Sequence, residues 1–579
     1  MLGSYLERRA FLLGNLRAVT ICGASSFFVA EGAGPERSFD PVFRPLDDFI
    51  AEYMRAMNSP GLTLALANTE GKVRTTAFGF SDLEMKVPVS PDLLFEIGSI
   101  SKSFVALTLL QLREEGKLDL ERPILEYLPW LPIEANYGAI TVHHLLTHSS
   151  GLPDALILFL ANPQARHVQA FKPGEHFHYC NAGFTILGYL IEKLDGRPWS
   201  EAVRRRIFEP LGMTSSAPII ANENRKRTAK SYVPFYDDLT YVRQGALARA
   251  GNLVFDDAAG SVVSTPGDMA LYLQMLLRKG QGPGKRLVSE ESFALFSKPY
   301  IKAKEFSPTA SYGYGIAIDQ LDGHTILRHT GGMASFMSAM HVDLDAGVAA
   351  FASINAGQGY RPNPVTQFAV QLMGAQAERK PLPKAHEVPD PMIVRNAGDY
   401  AGTYVSPNGR EVVVIAEGDR LSMRVGSQSV PLQLAGDDTF LATVQEWQRF
   451  PIVFGRAEKK GGDTDGEKNL SVVELMHGAD WYTNGRYSGP RSFAVTPGLE
   501  SFVGHYRADS IWLGSTRVVL RKGRLWLDGV IPLEPLGRAL FRIGDDVFNP
   551  DTVEFFYVVE GKARLMKLTG ADLWRVDVA

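Results

Sequence analysis

Cysteine is almost missing from this chain: only Cys22 and Cys180 occur among 579 residues. Two thiols, one of them close to the N-terminus, offer no disulfide framework, so an ordinary hydrophobic core has to hold the fold. Excess charge is missing too. Sixty basic against 64 acidic side chains leave a net charge of −4, too little to recruit nucleic acid or an anionic membrane. The basic runs Arg204-Arg205-Arg206 and Arg225-Lys226-Arg227 have no aromatic platform beside them and read as solvated surface. Past the N-terminal segment, no apolar run approaches the roughly 18 residues of a membrane-spanning helix. What is present is 45 % hydrophobic and 21 % charged residues, the balance of a globular protein. The length allows roughly two to four domains.

Residues 1–35 read as a targeting segment. Arg8-Arg9-Ala10-Phe11-Leu12-Leu13 precedes the mostly apolar run from Ala18 to Ala30, a pattern that resembles a twin-arginine export signal. The periplasm is the expected location and the cytoplasm the alternative.

Residues 36–375 read as one mixed domain. Leu62–Asn68 and Lys72–Phe80 form a hairpin about Thr69-Glu70-Gly71. Strand character returns at Tyr314–Asp319, Thr325–His329, Ser338–Asp343 and Val348–Ile354, and a helix over Pro364–Met373 closes the domain. One antiparallel sheet completed by both ends, with helices inserted, leaves a cleft where the insertion meets the sheet edge. Proline and charge over 376–394 mark a linker.

Beyond the linker the chain is β-rich and repeats itself. Gly402-Thr403-Tyr404 recurs as Gly504-His505-Tyr506, Val430-Pro431-Leu432 as Ile531-Pro532-Leu533, and Gly436-Asp437-Asp438 as Gly544-Asp545-Asp546. Two small antiparallel barrels, 395–490 and 491–579, are expected, with a single long β-sandwich as the alternative. The run from Glu458 to Lys468 reads as a solvated loop. The fold class is therefore multidomain α+β.

Chemistry is concentrated in Ser99-Ile100-Ser101-Lys102, at the start of a helix apolar almost all round. Residues at i and i+3 are neighbours on a helix surface, so a hydroxyl and an amine share one face. A serine is inert until a base removes its proton, and burial lowers a lysine pKa toward that task. Two further stretches follow in order, Tyr179-Cys180-Asn181 and His329-Thr330-Gly331. Taken singly, each has a bland reading. Ser99 could be a helix N-cap, Tyr179 a half-buried tyrosine and His329 a strand-end histidine. His143, His144 and His148 have a spacing that invites zinc, but no acidic ligand adjoins them. Cys180 reads as wall rather than nucleophile, and Asp268 as a cap of the helix after Thr265-Pro266-Gly267.

Together the three stretches resemble the signature of the serine β-lactamase and penicillin-binding superfamily. Thr141–Pro153, Pro210-Leu211-Gly212-Met213, Ala259–Met269 and Tyr312-Gly313-Tyr314-Gly315 are similar to the same family, in its class C-like branch. The resemblance implies a β-lactamase-like catalytic domain with Ser99, Lys102, Tyr179 and His329 as its catalytic residues, in which Ser99 attacks a carbonyl. Lys102 and the Tyr179 phenol move the proton, and Asn181 holds the substrate amide and Lys102. The N–H groups of Ser99 and Gly332 stabilise the oxyanion. Neither a metal nor a cofactor is implied.

One departure stands out. The third motif usually opens with lysine in β-lactamases, while here it opens with His329. A neutral histidine greets a substrate carboxylate poorly, which favours amides or esters lacking that group. A catalytic domain followed by two barrels resembles the D-aminopeptidases, where a loop of the last barrel enters the cleft. Gly98 stands where that subgroup commonly has cysteine. The expected activity is hydrolysis of amide bonds in short peptides, D-residue-containing ones and linearised cyanobacterial toxins included. A carboxylesterase and a non-catalytic peptide or β-lactam sensor are the alternatives, and a homo-oligomer is admitted as the assembly.

Overall fold

The computed structural model describes residues 39–154, 167–236, 238–251, 253–458, 470–509 and 513–576. The expected export segment, Cys22 and most of the loop expected at 458–468 lie outside them. Among the described residues no helix is long and apolar enough to cross a membrane. The chain forms two compact units. One takes the chain up to Pro234, Ala246–Val388 and Phe548–Pro550; the other takes Phe235–Gly245, Pro389–Val547 and the chain from Asp551 onward.

The first unit is built on a nine-stranded antiparallel sheet. Its strands are β1 (Gly61–Asn68), β2 (Lys72–Asp82), β3 (Val87–Pro88), β4 (Ile301–Lys302), β5 (Ser311–Tyr312), β6 (Ala317–Leu321), β7 (His324–Gly332), β8 (Met337–Asp343) and β9 (Val348–Ile354). In space they run β4-β5-β6-β7-β8-β9-β1-β2-β3. Both ends of the domain therefore complete one sheet, through Leu62 opposite Ile354 and Asn68 opposite Val348.

Every residue of β1 and β9 is buried, because helices cover both faces. Leu62, Leu64 and Leu66 of β1, with Val348, Ala350, Ala352 and Ile354 of β9, face one cluster. Helix α1 (Asp40–Ala56) adds Val42, Leu46, Phe49, Ile50 and Tyr53 to that cluster, a spacing of three and four that puts them on one helical face. Ala65, Ala67 and Ala349 point the other way, toward the main core. That core holds helix α2 (Ser101–Glu114), buried on nearly every side, α3 (Asn181–Asp195) and α4 (Pro266–Leu277). Helix α5 (Asn363–Ala377) closes the domain over the first cluster.

Two sequence expectations change. The strand read as Tyr314–Asp319 begins only at Ala317. Gly315 has φ +68 and lies backbone to backbone on α2, where a Cβ would sit 2.7 Å from the Lys102 carbonyl oxygen. Asp268 is not the cap of α4. Thr265 is, its Oγ1 accepting the Asp268 N–H at 3.2 Å. The Asp268 carboxylate instead accepts the N–H groups of Ser215 and Ser216. The basic run 204–206 is paired with acids: Arg204 and Arg205 with Glu201, Arg206 with Glu115 and Asp195.

The second unit contains two closed eight-stranded antiparallel barrels, not one sandwich. The first closes by pairing Gly402–Val405 with Asp480–Thr483, the second by pairing Gly504–Arg507 with Ala571–Arg575. The repeat has a physical purpose at matched tyrosines. Tyr404 donates its hydroxyl hydrogen to the Tyr400 carbonyl at 2.7 Å, and Tyr506 donates to the Phe502 carbonyl at 2.8 Å. Each fully buried ring thereby pins the 3-10 turn that opens its barrel.

Candidate active site

Ser99 lies in a 3-10 turn, Gly98–Ile100, that runs directly into α2. Several bonds hold this turn. Ile97 N–H donates to Val262 O at 3.0 Å, Ser101 Oγ donates to Gly98 O at 2.6 Å, and Val262 N–H donates to Ser101 Oγ at 3.1 Å. The second serine of Ser99-Ile100-Ser101-Lys102 is thus an anchor, and the turn makes no N-cap bond through Ser99.

Lys102 is completely buried. Its Nζ lies 3.1 Å from Ser99 Oγ, 2.7 Å from Asn181 Oδ1 and 2.8 Å from the Ala259 carbonyl oxygen. Three acceptors face one amine. As a neutral amine, Lys102 can keep its two hydrogens on the amide oxygens and turn its lone pair toward the Ser99 hydroxyl. As an ammonium it satisfies all three. The site can therefore hold the proton of Ser99 without rearranging.

Tyr179 presents its ring to this amine, with Nζ 4.9 Å from the ring centroid. Behind it stands His148, whose ring centroid is 4.2 Å away. His148 has φ +55, in the left-handed region, and its Nδ1 accepts the Cys180 N–H at 3.0 Å. The hydrogen of the neutral ring is then on Nε2. Cys180 caps α3, its Sγ accepting from Gly183 N–H at 3.3 Å, which agrees with its reading as wall. His143 and His144 are engaged with Tyr314 and Thr141.

The far wall is the end of β7. Strand β6 pairs with it only as far as Arg328, so His329 to Gly332 extend past their neighbour. Met333 N–H bonds Phe336 O on the β8 side at 2.8 Å. Successive residues alternate sides, so the Gly332 N–H points away from β8, toward the Ser99 turn. The approach is close: a Cβ on Gly98 (φ +54) would lie 2.5 Å from Gly332 N, and one on Gly331 would lie 1.8 Å from Ile97 O. The end of β7 and the turn that carries Ser99 are thus held backbone against backbone.

His329 is fully enclosed. Its Nδ1 is 2.6 Å from the Thr330 carbonyl oxygen, which can only accept, so Nδ1 carries the hydrogen. Nε2 then accepts from the Tyr312 hydroxyl at 2.8 Å. Burial, and next the charge of Lys102, hold its pKa down at about 3. The third motif presents a neutral ring with both nitrogens spent internally. Phe306 packs on it and on Tyr179, with ring centroids 5.4 and 6.2 Å apart.

Residues to which the sequence assigned no role complete the site. Asp154 accepts the Asn181 N–H at 2.7 Å and the Asn181 Nδ2 hydrogen at 3.3 Å. Ala259 supplies its carbonyl, and Tyr312 its hydroxyl. Asp154 directly follows the Gly151-Leu152-Pro153 stretch, and that adjacency was its only sequence signal.

The buried histidines carry a pH prediction. Burial pushes His148 well below its ordinary range and His329 and His341 down to about 3. Their unfolded value is near 6.5, so below that pH the unfolded chain binds more protons. Their stabilisation is whole above about pH 6.5 and falls as pH drops, by up to ~1.4 kcal/mol per pH unit each. Glu96, pushed up to about 8 by burial, works in the opposite sense, losing its stabilisation as pH rises from about 4.5 to 8. Asp257, raised chiefly by burial, opposes the histidines too. The three histidines outnumber these two carboxyls. The melting temperature of the first unit should therefore fall between pH 7 and pH 5; a flat profile would mean that these rings are not buried neutral.

A buried lysine within reach of a serine hydroxyl, facing the end of an antiparallel strand, is the arrangement of a serine hydrolase. The chain belongs to the Beta-lactamase family, whose model matches residues 46–372, more than half of the 579. It is 26 % identical over 387 residues to penicillin-binding protein 4* of Bacillus subtilis (strain 168), covering 61 % of this chain and 81 % of that protein. It is 28 % identical over 275 residues to the beta-lactamase of Escherichia coli (strain K12), covering 46 % of this chain and 67 % of that one. Among solved structures it is similar to the octameric penicillin-binding protein homologue from Pyrococcus abyssi, with a TM-score of 0.52 and 24 % identity. That match covers 76 % of this chain and 98 % of the other, and is a likeness of fold.

Proposed function

We propose that the protein cleaves amide bonds of short peptides, D-residue-containing ones among them, through an acyl-enzyme on Ser99. Lys102 takes the Ser99 proton, and the Tyr179 phenol gives its own to the leaving amine and is reprotonated from the Lys102 ammonium. Water then attacks the acyl-enzyme by the reverse path to release the acid and restore Ser99. The N–H groups of Ser99 and Gly332 receive the oxyanion, and Asn181 steadies Lys102 and the substrate amide. His329 shapes the wall. The observation that carries this choice is the neutral, internally bonded His329. It leaves the third motif without a cation for a substrate carboxylate, so penicillins, for which relatives are named, should acylate slowly. We further take residues 1–35 to route the chain to the periplasm, and a homo-oligomer to be its assembly.

An esterase would need the same wall, so the leaving group has to decide. Turnover of an aminoacyl p-nitroanilide and of a p-nitrophenyl ester of the same acyl group should both be measurable and both vanish in Ser99→Ala. Ester turnover with no anilide or peptide cleavage would make the protein a carboxylesterase. A wild type that a fluorophosphonate fails to label would favour the sensor.

A further inference from the structure

We propose that Asp154 is a positioning residue for acylation of Ser99: by gripping the side-chain amide of Asn181, it dictates which end of that amide faces Lys102. The inference rests on the reading of Ser99, Lys102 and Asn181 as the acylation machinery.

An amide side chain is nearly symmetric in shape but not in chemistry, one end accepting hydrogen bonds and the other donating them. Lys102 needs the accepting end, since Asn181 Oδ1 is one of the three oxygens around Nζ. Nothing in Asn181 itself selects that orientation. Asp154 does. An ionised carboxylate only accepts, and Asp154 Oδ2 faces Asn181 Nδ2 at 3.3 Å while Oδ1 takes the Asn181 backbone N–H at 2.7 Å. A flipped amide would set oxygen against carboxylate on one side and N–H against the lysine hydrogens on the other. Both contacts repel.

The carboxylate is held there for a reason that the fold supplies. Asp154 is buried at 6 % exposure, beside the N-terminus of the 15-residue helix α3. First-turn N–H groups lack partners within a helix, and the helix dipole favours an anion at that end. A plain cap would need only the backbone contact. The second oxygen, aimed at Nδ2, is what a cap does not require. Cys180 Sγ already takes the Gly183 N–H, so the helix keeps a cap if Asp154 is changed. Four residues from three stretches of sequence thus form a line: Asp154 orients Asn181, Asn181 holds Lys102, and Lys102 faces Ser99.

The test separates a clamp from a cap by a double-mutant cycle. Labelling of Ser99 by a fluorophosphonate, in which Oγ bonds phosphorus and fluoride leaves, is followed by intact mass for wild type, Asp154→Ser, Asn181→Ala and the double variant. Serine can still accept the backbone N–H but cannot span both contacts. Asp154→Ser should slow this labelling by about tenfold or more, the scale of a misplaced reacting group, and should add nothing once Asn181 is alanine. Equal losses in both backgrounds would make Asp154 a plain helix cap, and an unchanged rate would remove any role.

A readout without turnover accompanies it. In protein labelled with 15N-asparagine, the side-chain amide signal missing from Asn181→Ala identifies Asn181. That signal should exchange slowly in wild type and quickly in Asp154→Ser. Should wild type take no label at all, the hydrolase reading fails separately, and a signal equally protected in Asp154→Ser would overturn the clamp. If Asp154→Ser does not fold, the isosteric Asp154→Asn serves the same comparisons, because its own amide no longer forces the orientation.

Discussion

Lys102→Met should lower acylation of Ser99 by roughly 10⁴-fold and leave the protein folded. Methionine fills much the same volume without an amine. The loss follows from geometry: Nζ is the group 3.1 Å from Ser99 Oγ that can receive its proton. Stability should change less than burial alone suggests. Asn181 Oδ1 and Ala259 O each lose a donor, which costs about 1–3 kcal/mol per buried group. A buried polar amine and its desolvation cost disappear at the same time, and that offsets part of the loss. Lys102→Arg should not rescue the rate, because a guanidinium stays protonated. Intact-mass rates with a fluorophosphonate, beside thermal melts, check both statements. A rate within threefold of wild type in Lys102→Met would remove lysine from the reaction.

Gly331→Ala should be nearly as damaging, although it touches no proton. Its Cβ would fall 1.8 Å from the Ile97 carbonyl oxygen and 2.3 Å from Ser338 Oγ. The serine can rotate away; the carbonyl belongs to the turn that carries Ser99. Either β7 or that turn must retreat, and the Gly332 N–H retreats with it. A displaced oxyanion donor costs about 10²–10³ in kcat, with about 1–3 kcal/mol of overpacking besides. Gly116→Ala is the control. Gly116 has φ +72 with no heavy atom within 4 Å of a Cβ, so it should lose about 1–2 kcal/mol of stability with unchanged kcat. If Gly331→Ala lost no more activity than that control, the sheet edge would have no part in the chemistry.

Much of the architecture was readable before any coordinates. The hairpin of β1 and β2, the late strands and the repeated Gly-x-Tyr of the barrels lay close to where they were expected, because each is a local pattern of alternation punctuated by turns. Register was not readable. All eight residues of β1 are buried, so the alternation that would mark an inner face is absent, and only the opposing helices separate Leu64 from Ala65. Asp268 was misplaced for a related reason. Thr265 and Asp268 are both good capping residues three apart, and the choice turned on Ser215 and Ser216, more than fifty residues away in sequence.

The same division runs through the site. Ser99 and Lys102 could be paired from the chain alone, since three residues on a helix bring two side chains to one face whatever surrounds them. A histidine opening the third motif could likewise be read as uncharged from its ordinary pKa. How firmly it is neutral depended on Tyr312 and Thr330 taking its two nitrogens inside a buried wall. The partners of Lys102 depended on folding altogether: a carbonyl from Ala259 and an amide turned by Asp154 come from 157 and 79 residues away or are linked through such a residue. Hydrogen bonds select by distance and direction, and linear order carries neither once the chain has turned back on itself.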